Sequence, residues 1–268
     1  MKENFYDFNK LKRSYRSVGL KKNDSIYLTG DLFLLGQFKP TRKILYYHFK
    51  AITDLIGKGG TISFPTFSYS LAKNKKIFSL EDTPSETGAL TEYLRKKKGS
   101  IRQVHPYSSI TSLGKNAKFI CTNNSKHAYG YDSPFQRLYE LNAKYISLGI
   151  KPNLVCSLSH HVETILNVPY RFTKEFNHIV KLKDKKKIKE KFNLFVLYNY
   201  LRKIPRDKNK KIFKNFKKKN KIYKAKCGQG FIYSYSIKKF QDTTVSLLKK
   251  NMYSWMSNEP RKKIWDNF

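Results

Sequence analysis

Apolar residues along the chain fall into two kinds of block: runs of about five without a charge, and longer stretches in which they recur three or four apart. Phe5, Phe8, Leu11 and Tyr15 share the second spacing and predict a short amphipathic helix within residues 4–18. Residues 25–29 (Ser-Ile-Tyr-Leu-Thr) read as a buried strand ending at Gly30-Asp31, where a sheet edge would leave backbone N–H groups available to a ligand. Residues 41–56 follow the helical period and close at Gly57-Lys58-Gly59-Gly60. A second strand, 61–65, then runs into Thr66-Phe67-Ser68-Tyr69, a loop of hydroxyls and aromatics. Further on, the pattern predicts a helix over 89–98, a strand over 110–114, a helix capped by Asp132-Ser133-Pro134-Phe135 through Leu141, and a strand over 145–149. Strands and helices alternating in this way predict an α/β layered sheet.

From Lys181 the pattern changes. Lys-rich stretches carrying Phe192, Phe195, Leu197 and Tyr200 are expected to be helical to about residue 220. A strand over 231–235 follows Cys227-Gly228-Gln229-Gly230, then a terminal helix over 243–255 and a charged tail over 257–268 with Trp265 and Phe268. No Ser/Gly-rich linker separates the parts, so residues 1–268 are expected to form one domain. Its catalytic part would be 20–180, with a Lys-rich extension, 181–268, packed on it.

Charge adds a constraint on partners. Lys and Arg number 55 against 19 Asp and Glu, a formal net charge of +36, which attracts polyanions, phosphate-bearing ligands and anionic membrane surfaces. Lys dominates over Arg and is spread over most of the chain, unlike the localised Arg forks of a specific nucleic-acid reader. No specific nucleic-acid partner is expected, and the lysines read mainly as solvated faces. The non-enzymatic alternative is a nucleic-acid or membrane-surface module built on 181–224, with Phe192, Tyr198, Tyr200 and Phe216 as stacking or inserting groups. Cys121, Cys156 and Cys227 form no C-x-x-C pair, and no run of about 18 apolar residues occurs, so a cytoplasmic protein is expected.

The candidate chemistry lies in residues 154–166. On a helix His160 and Glu163 share a face, whereas His161 points about 100° away. A carboxylate beside an imidazole fixes its tautomer and raises its basicity, as a general base requires; from these residues alone, a structural His–Glu pair is the commoner case. A metal site would need a third ligand, only His105 stands in a comparable loop, and there is no H-E-x-x-H, so no metal is expected. Cys156, four residues before His160, allows a thiolate–imidazole pair, although a thiol among Leu154, Val155 and Leu158 is more often an inert core group. Neither G-x-G-x-x-G nor a P-loop occurs.

Six pieces in order resemble the aminoglycoside 3-N-acetyltransferase family. They are Leu28-Thr29-Gly30-Asp31-Leu32 with Leu35-Gly36; Gly57 to Phe67; Thr83 to Glu92; Val104 to Ser109 with Leu113-Gly114; Asp132 to Leu138; and His160-His161-Val162-Glu163. The resemblance implies an α/β/α sandwich with a central mixed sheet and acetyl transfer from acetyl-CoA, as co-substrate, to the amino group of an amino sugar. It also implies His160 as base with Glu163, a cofactor loop at Thr29, Gly30, Asp31 and Leu32, and hydroxyls of Ser109 and Ser157 near the cofactor or the base. The chain departs from the family where it has Thr29-Gly30-Asp31 in place of H-S-S and His105-Pro106-Tyr107-Ser108-Ser109 in place of H-P-T-H-S, so cofactor contacts there fall to backbone N–H groups. Phe67 and Tyr69, with the acids Asp31, Glu81, Asp82 and Glu86, are expected to receive the cationic amine. Because a strongly basic protein suits a polycationic drug poorly, the expected acceptor is a nucleotide- or carrier-linked amino sugar for surface polysaccharide; an aminoglycoside antibiotic is the alternative. Weak association with an anionic membrane and the oligomeric state, monomer or dimer, stay open.

Overall fold

The computed structural model describes residues 5–74, 76–154, 156–199, 201 and 209–257. Among them a seven-stranded sheet runs in the order Tyr223–Cys227, Gly230–Ser236, Lys144–Leu148, Ser25–Gly30, Thr61–Pro65, Ile110–Gly114, Ile101–Arg102. Ser25–Gly30 is parallel to both of its neighbours, and the strands outside this central trio are antiparallel, which makes the sheet mixed. Successive residues of a strand face opposite sides. Tyr27, Tyr145 and Tyr235 therefore enter one core while Ile26, Leu28, Ile146, Leu148 and Ile232 enter the other.

Helices Phe8–Ser17, Ile44–Ile56 and Ala89–Arg95 cover the second core. Pro134–Glu140, Ser157–Ile165, Lys210–Lys219 and Ile237–Lys250 cover the first. The result is the expected α/β/α sandwich. Gly30 ends its strand at φ 123°, and a Cβ there would stand 2.2 Å from the Leu148 carbonyl oxygen. Glycine thus lets two parallel strands close up at the sheet edge where the site forms.

The basic C-terminal part does more than pack on the outside. Gly230–Ser236 pairs antiparallel with Lys144–Leu148 inside the main sheet, and its two flanking helices fill the first core. Three elements differ from the sequence pattern. Residues 187–197 are a strand: Arg171–Lys181 and Lys187–Leu197 form a long antiparallel hairpin, with Phe78–Ser79 parallel on its edge. Phe192 and Phe195 mimic helical spacing, but a partner strand eleven residues long across a short turn, carrying Phe172 and Phe176, offers a full ladder that a Lys-rich helix cannot match. The terminal helix starts earlier, at Ile237, where the Ser236 side chain accepts a hydrogen bond from Lys239 N, and Trp255 lies in the turn beyond its end. The first helix starts at Phe8 because Asp7 caps it, leaving Phe5–Tyr6 to pair with Gln37–Phe38.

Phe192 and Phe216 are fully buried, and Tyr198 packs its ring 4.8 Å from that of Phe172. Phe192 and Phe216 are core groups and not available as the stacking groups of the non-enzymatic alternative, while Tyr198 is half-buried. Tyr200 and the tail from residue 258 lie outside the described residues. No described helix is long and apolar enough to cross a membrane.

Candidate active site

Helix Ser157–Ile165 follows a 3-10 turn, Pro152–Leu154, at the carboxyl end of the Lys144–Leu148 strand. Leu158, Ser159, His161, Val162 and Glu163 are buried, and the His160 side chain keeps 32% of its exposure. One face of the helix is therefore core and His160 stands at its border with a cleft of about 950 Å³. That is a volume suited to a substrate pair, placed beyond the carboxyl ends of parallel strands, where open α/β sheets bind ligands.

Glu163 lies on the same helix with 1% of its side chain exposed. Its Oε2 is 2.7 Å from His160 Nδ1 and 3.0 Å from Arg171 Nε, and its Oε1 accepts the Tyr170 hydroxyl at 2.8 Å. Burial opposes its charge, but the Arg171 guanidinium, helped by His160 and Tyr170, outweighs burial and holds the carboxyl below its ordinary range. An ionised Glu163 can only accept, so His160 Nδ1 carries the proton and donates it. The lone pair is then on Nε2.

Three further side chains complete the surround. The Trp255 ring meets His160 edge-on at 5.6 Å, and the Tyr129 ring does so at 5.8 Å. Arg171 lies 4.9 Å from the Trp255 ring and donates to the Phe195 carbonyl at 3.2 Å. Asn209, in left-handed backbone at φ 58°, accepts through Oδ1 from both Ser159 Oγ (2.7 Å) and Trp255 Nε1 (2.8 Å) and donates to Asn153 O (3.0 Å).

Of the residues singled out in the sequence, Thr29, Gly30, Phe67, Tyr69, Ser157 and His160 line this cleft together. Others are placed elsewhere. Asp31 caps the turn Leu32–Leu35, accepting from Phe33 N at 2.9 Å, because a short carboxylate before a tight turn satisfies its free N–H; Leu32 packs against the second core. Ser109 is buried, donating to Thr66 O at 2.8 Å and accepting from Arg102 Nε at 2.9 Å, and so supports the wall loop from behind. Asp82 and Glu81 are exposed, and Asp82 is held by Ser79 Oγ (2.8 Å) and Lys181 (3.1 Å). Glu86 sits beside the rim, accepting from Ser70 N at 3.1 Å and from the Ser70 hydroxyl, one residue from Tyr69.

The alternative chemistries fare less well. His105 is buried with Nδ1 accepting from Ser108 N at 3.1 Å and Nε2 facing Asn193 O at 3.4 Å, and burial lowers it to about 4. Among the described residues no three His, Cys, Asp or Glu side chains gather as a metal would need. Cys156 lines the cleft, yet burial pushes its thiol up, away from the thiolate a nucleophile requires. His161 accepts from Gly130 N at 3.1 Å and is lowered to about 3 by burial, a core residue. Sequence reasoning missed Tyr129, Tyr170, Arg171, Asn209 and Trp255. Tyr170-Arg171 follows the helix within a few residues and was within reach of notice, but no spacing rule connects Asn209 or Trp255 to His160.

The family described as aminoglycoside 3-N-acetyltransferase matches residues 46–249. Aminoglycoside N(3)-acetyltransferase VII of Streptomyces paromomycinus is 31% identical over 91 residues, 34% of this chain and 31% of the relative, so the chain aligns with about a third of that protein's length. The structure of AAC-IIIb with CoASH superposes with a TM-score of 0.79 over 96% of this chain and 100% of its own, at 18% identity. That of AAC-VIa bound to sisomicin gives 0.77 over 91% and 98%, at 18% identity. The chain belongs to the aminoglycoside 3-N-acetyltransferase family.

Proposed function

We propose that the protein transfers the acetyl group of acetyl-CoA to an amino group of an aminoglycoside. The observation that carries this is the His160–Glu163 pair at the cleft, with Nδ1 committed to a buried carboxylate and Nε2 left as base. An aliphatic ammonium cannot attack until it loses a proton, and Nε2 takes it. The amine nitrogen then forms a bond to the thioester carbonyl carbon, and the oxyanion is met by a donor such as the Ser157 hydroxyl, worth about 3–4 kcal/mol for a well-placed group. His160 passes the ammonium proton to solvent, the second proton of the attacking nitrogen moves to Nε2 as the C–S bond breaks, and the thiolate of CoA takes that proton, so that acetamide, CoA thiol and one solvent proton are formed. Cys156 takes no part.

Acetyl-CoA would lie against Thr29, Gly30 and Ser157, and the amine would approach from the Phe67–Tyr69 wall with Glu86 at its rim. AAC-IIIb was solved with CoASH and AAC-VIa with sisomicin, which supports this pairing of substrates by kinship. The expected carrier-linked sugar for polysaccharide gains no such support, so the aminoglycoside reading replaces it. The three cysteines are free and buried, which suits a reducing compartment such as the cytoplasm. The test is thiol release from acetyl-CoA with a panel of aminoglycosides. Release with at least one of them, abolished in His160→Ala and largely kept in Cys156→Ala, is expected; the reverse pattern of variants would sink the direct mechanism.

A further inference from the structure

We propose that Arg171 is a positioning and charge-setting residue that keeps His160 free to act as a base at neutral pH; this rests on the reading of His160 above. Arg171 Nη2 stands 3.2 Å from His160 Nδ1. Both nitrogens carry hydrogen when Nδ1 donates to Glu163, so this contact is a cation held against the imidazole edge. Its place is built: Nη1 is tied to Phe195 O on the hairpin, Nε lies against Glu163 Oε2, and the Trp255 ring stands on the guanidinium.

The groups around His160 come from every element packed on it. Glu163 comes from its own helix, Arg171 from the hairpin, the Tyr129 ring from the loop before helix Pro134–Glu140, and the Trp255 ring from the C-terminal turn. Tyr170 donates to Glu163 from behind, and the Cys156 thiol lines the same cleft. Burial drives Tyr129, Tyr170 and Cys156 up, so they stay neutral. The charge balance at His160 is therefore set by Glu163 against Arg171. A carboxylate beside an imidazole, with no cation facing it, favours the charged ring. Arg171 sets a positive charge against that carboxylate, 3.0 Å from Glu163 Oε2 and 3.2 Å from His160 Nδ1, while leaving the tautomer fixed.

The experiment is the pH dependence of kcat/KM for acetyl transfer in the full chain. In Arg171→Gln the acid limb is expected to move to higher pH by about 1–2 units, so that activity at pH 7 falls at least tenfold and is recovered towards pH 9. Arg171→Lys, which keeps the charge, should leave the limb near its original place. Glu163→Gln/Arg171→Gln, which removes both charges and leaves neither buried unpaired, should have its limb at higher pH than Glu163→Gln alone, a comparison that stands even if Arg171→Gln fails to fold. A purely structural Arg171 predicts a profile scaled down at all pH values with the limb unmoved by loss of Arg171 in either background, and that outcome overturns the proposal. His160→Ala serves as the separate control. If it keeps kcat/KM at pH 7 near that of the unaltered protein, the base assignment fails, whatever Arg171 does.

Discussion

At the scale of single residues, the decisive fact is that Glu163 is buried and still charged. It can remain so because Arg171, His160 and Tyr170 all face its two oxygens. Glu163→Gln keeps the size but can present an amide N–H to Nδ1, so the tautomer is no longer fixed. A fall in kcat of about 10²–10³ with KM for acetyl-CoA little changed is expected from steady-state kinetics, within the range for general-base machinery. An equal rise in KM would place Glu163 in substrate binding instead. The His–Glu pair was legible from sequence because helical spacing alone brings positions three apart together. Asp31 and Ser109 were read from loop resemblance, and loops do not obey a period: one carboxylate turned back to cap Phe33 N, and one hydroxyl turned inward to Arg102.

At the scale of elements, the site is a junction of pieces remote in sequence. Asn209 ties helix Ser157–Ile165 to the C-terminal turn through one amide oxygen that receives both Ser159 and Trp255. Asn209→Ala withdraws that acceptor from two buried donors, a cost of about 1–3 kcal/mol for each group left unsatisfied. A Tm several degrees lower, together with a loss of kcat at saturating substrate, is expected; an unchanged Tm would show that the two donors find other partners. The hairpin makes a similar case. Phe192, fully buried, packs its ring 5.6 Å from His105, and Phe192→Ala should cost about 3–5 kcal/mol by chemical denaturation. An exposed stacking group, as the non-enzymatic alternative required of Phe192, would lose almost nothing. Local periodicity failed here because both patterns fit a short run, and the partner strand, Arg171–Lys181, decides between them.

At the scale of the whole molecule, the charge and the buried imidazoles set the response to solution conditions. His48, His105 and His161 are fully buried, and burial lowers them to about 3, 4 and 3. Each is neutral in the folded state and takes up a proton readily only when unfolded. Their contribution is therefore fully present above about pH 6.5 and is lost as pH falls towards 3–4, at up to about 1.4 kcal/mol per pH unit for each. Glu163, held below its ordinary range, works in the same direction at the lower end. Denaturant melts should show stability flat near pH 7–8 and falling steeply from pH 6 to pH 4. A flat profile across that range would mean that these histidines are hydrated in the native state.

The sequence by itself determined the alternation of strands and helices up to Leu148, the two-sided burial of that sheet, and the pairing of His160 with Glu163, because each follows from a period of two or 3.6 acting over a few residues. Only the tertiary structure decided that the Lys-rich C-terminal part enters the main sheet, that residues 187–197 pair as a hairpin, and that Arg171, Asn209 and Trp255 enclose His160. These depend on contacts between segments up to about a hundred residues apart, whose energy comes from shared burial and charge pairing rather than from any local propensity. The charge of +36 is evident in the sequence, but its meaning at the site is set by one guanidinium against one buried carboxylate.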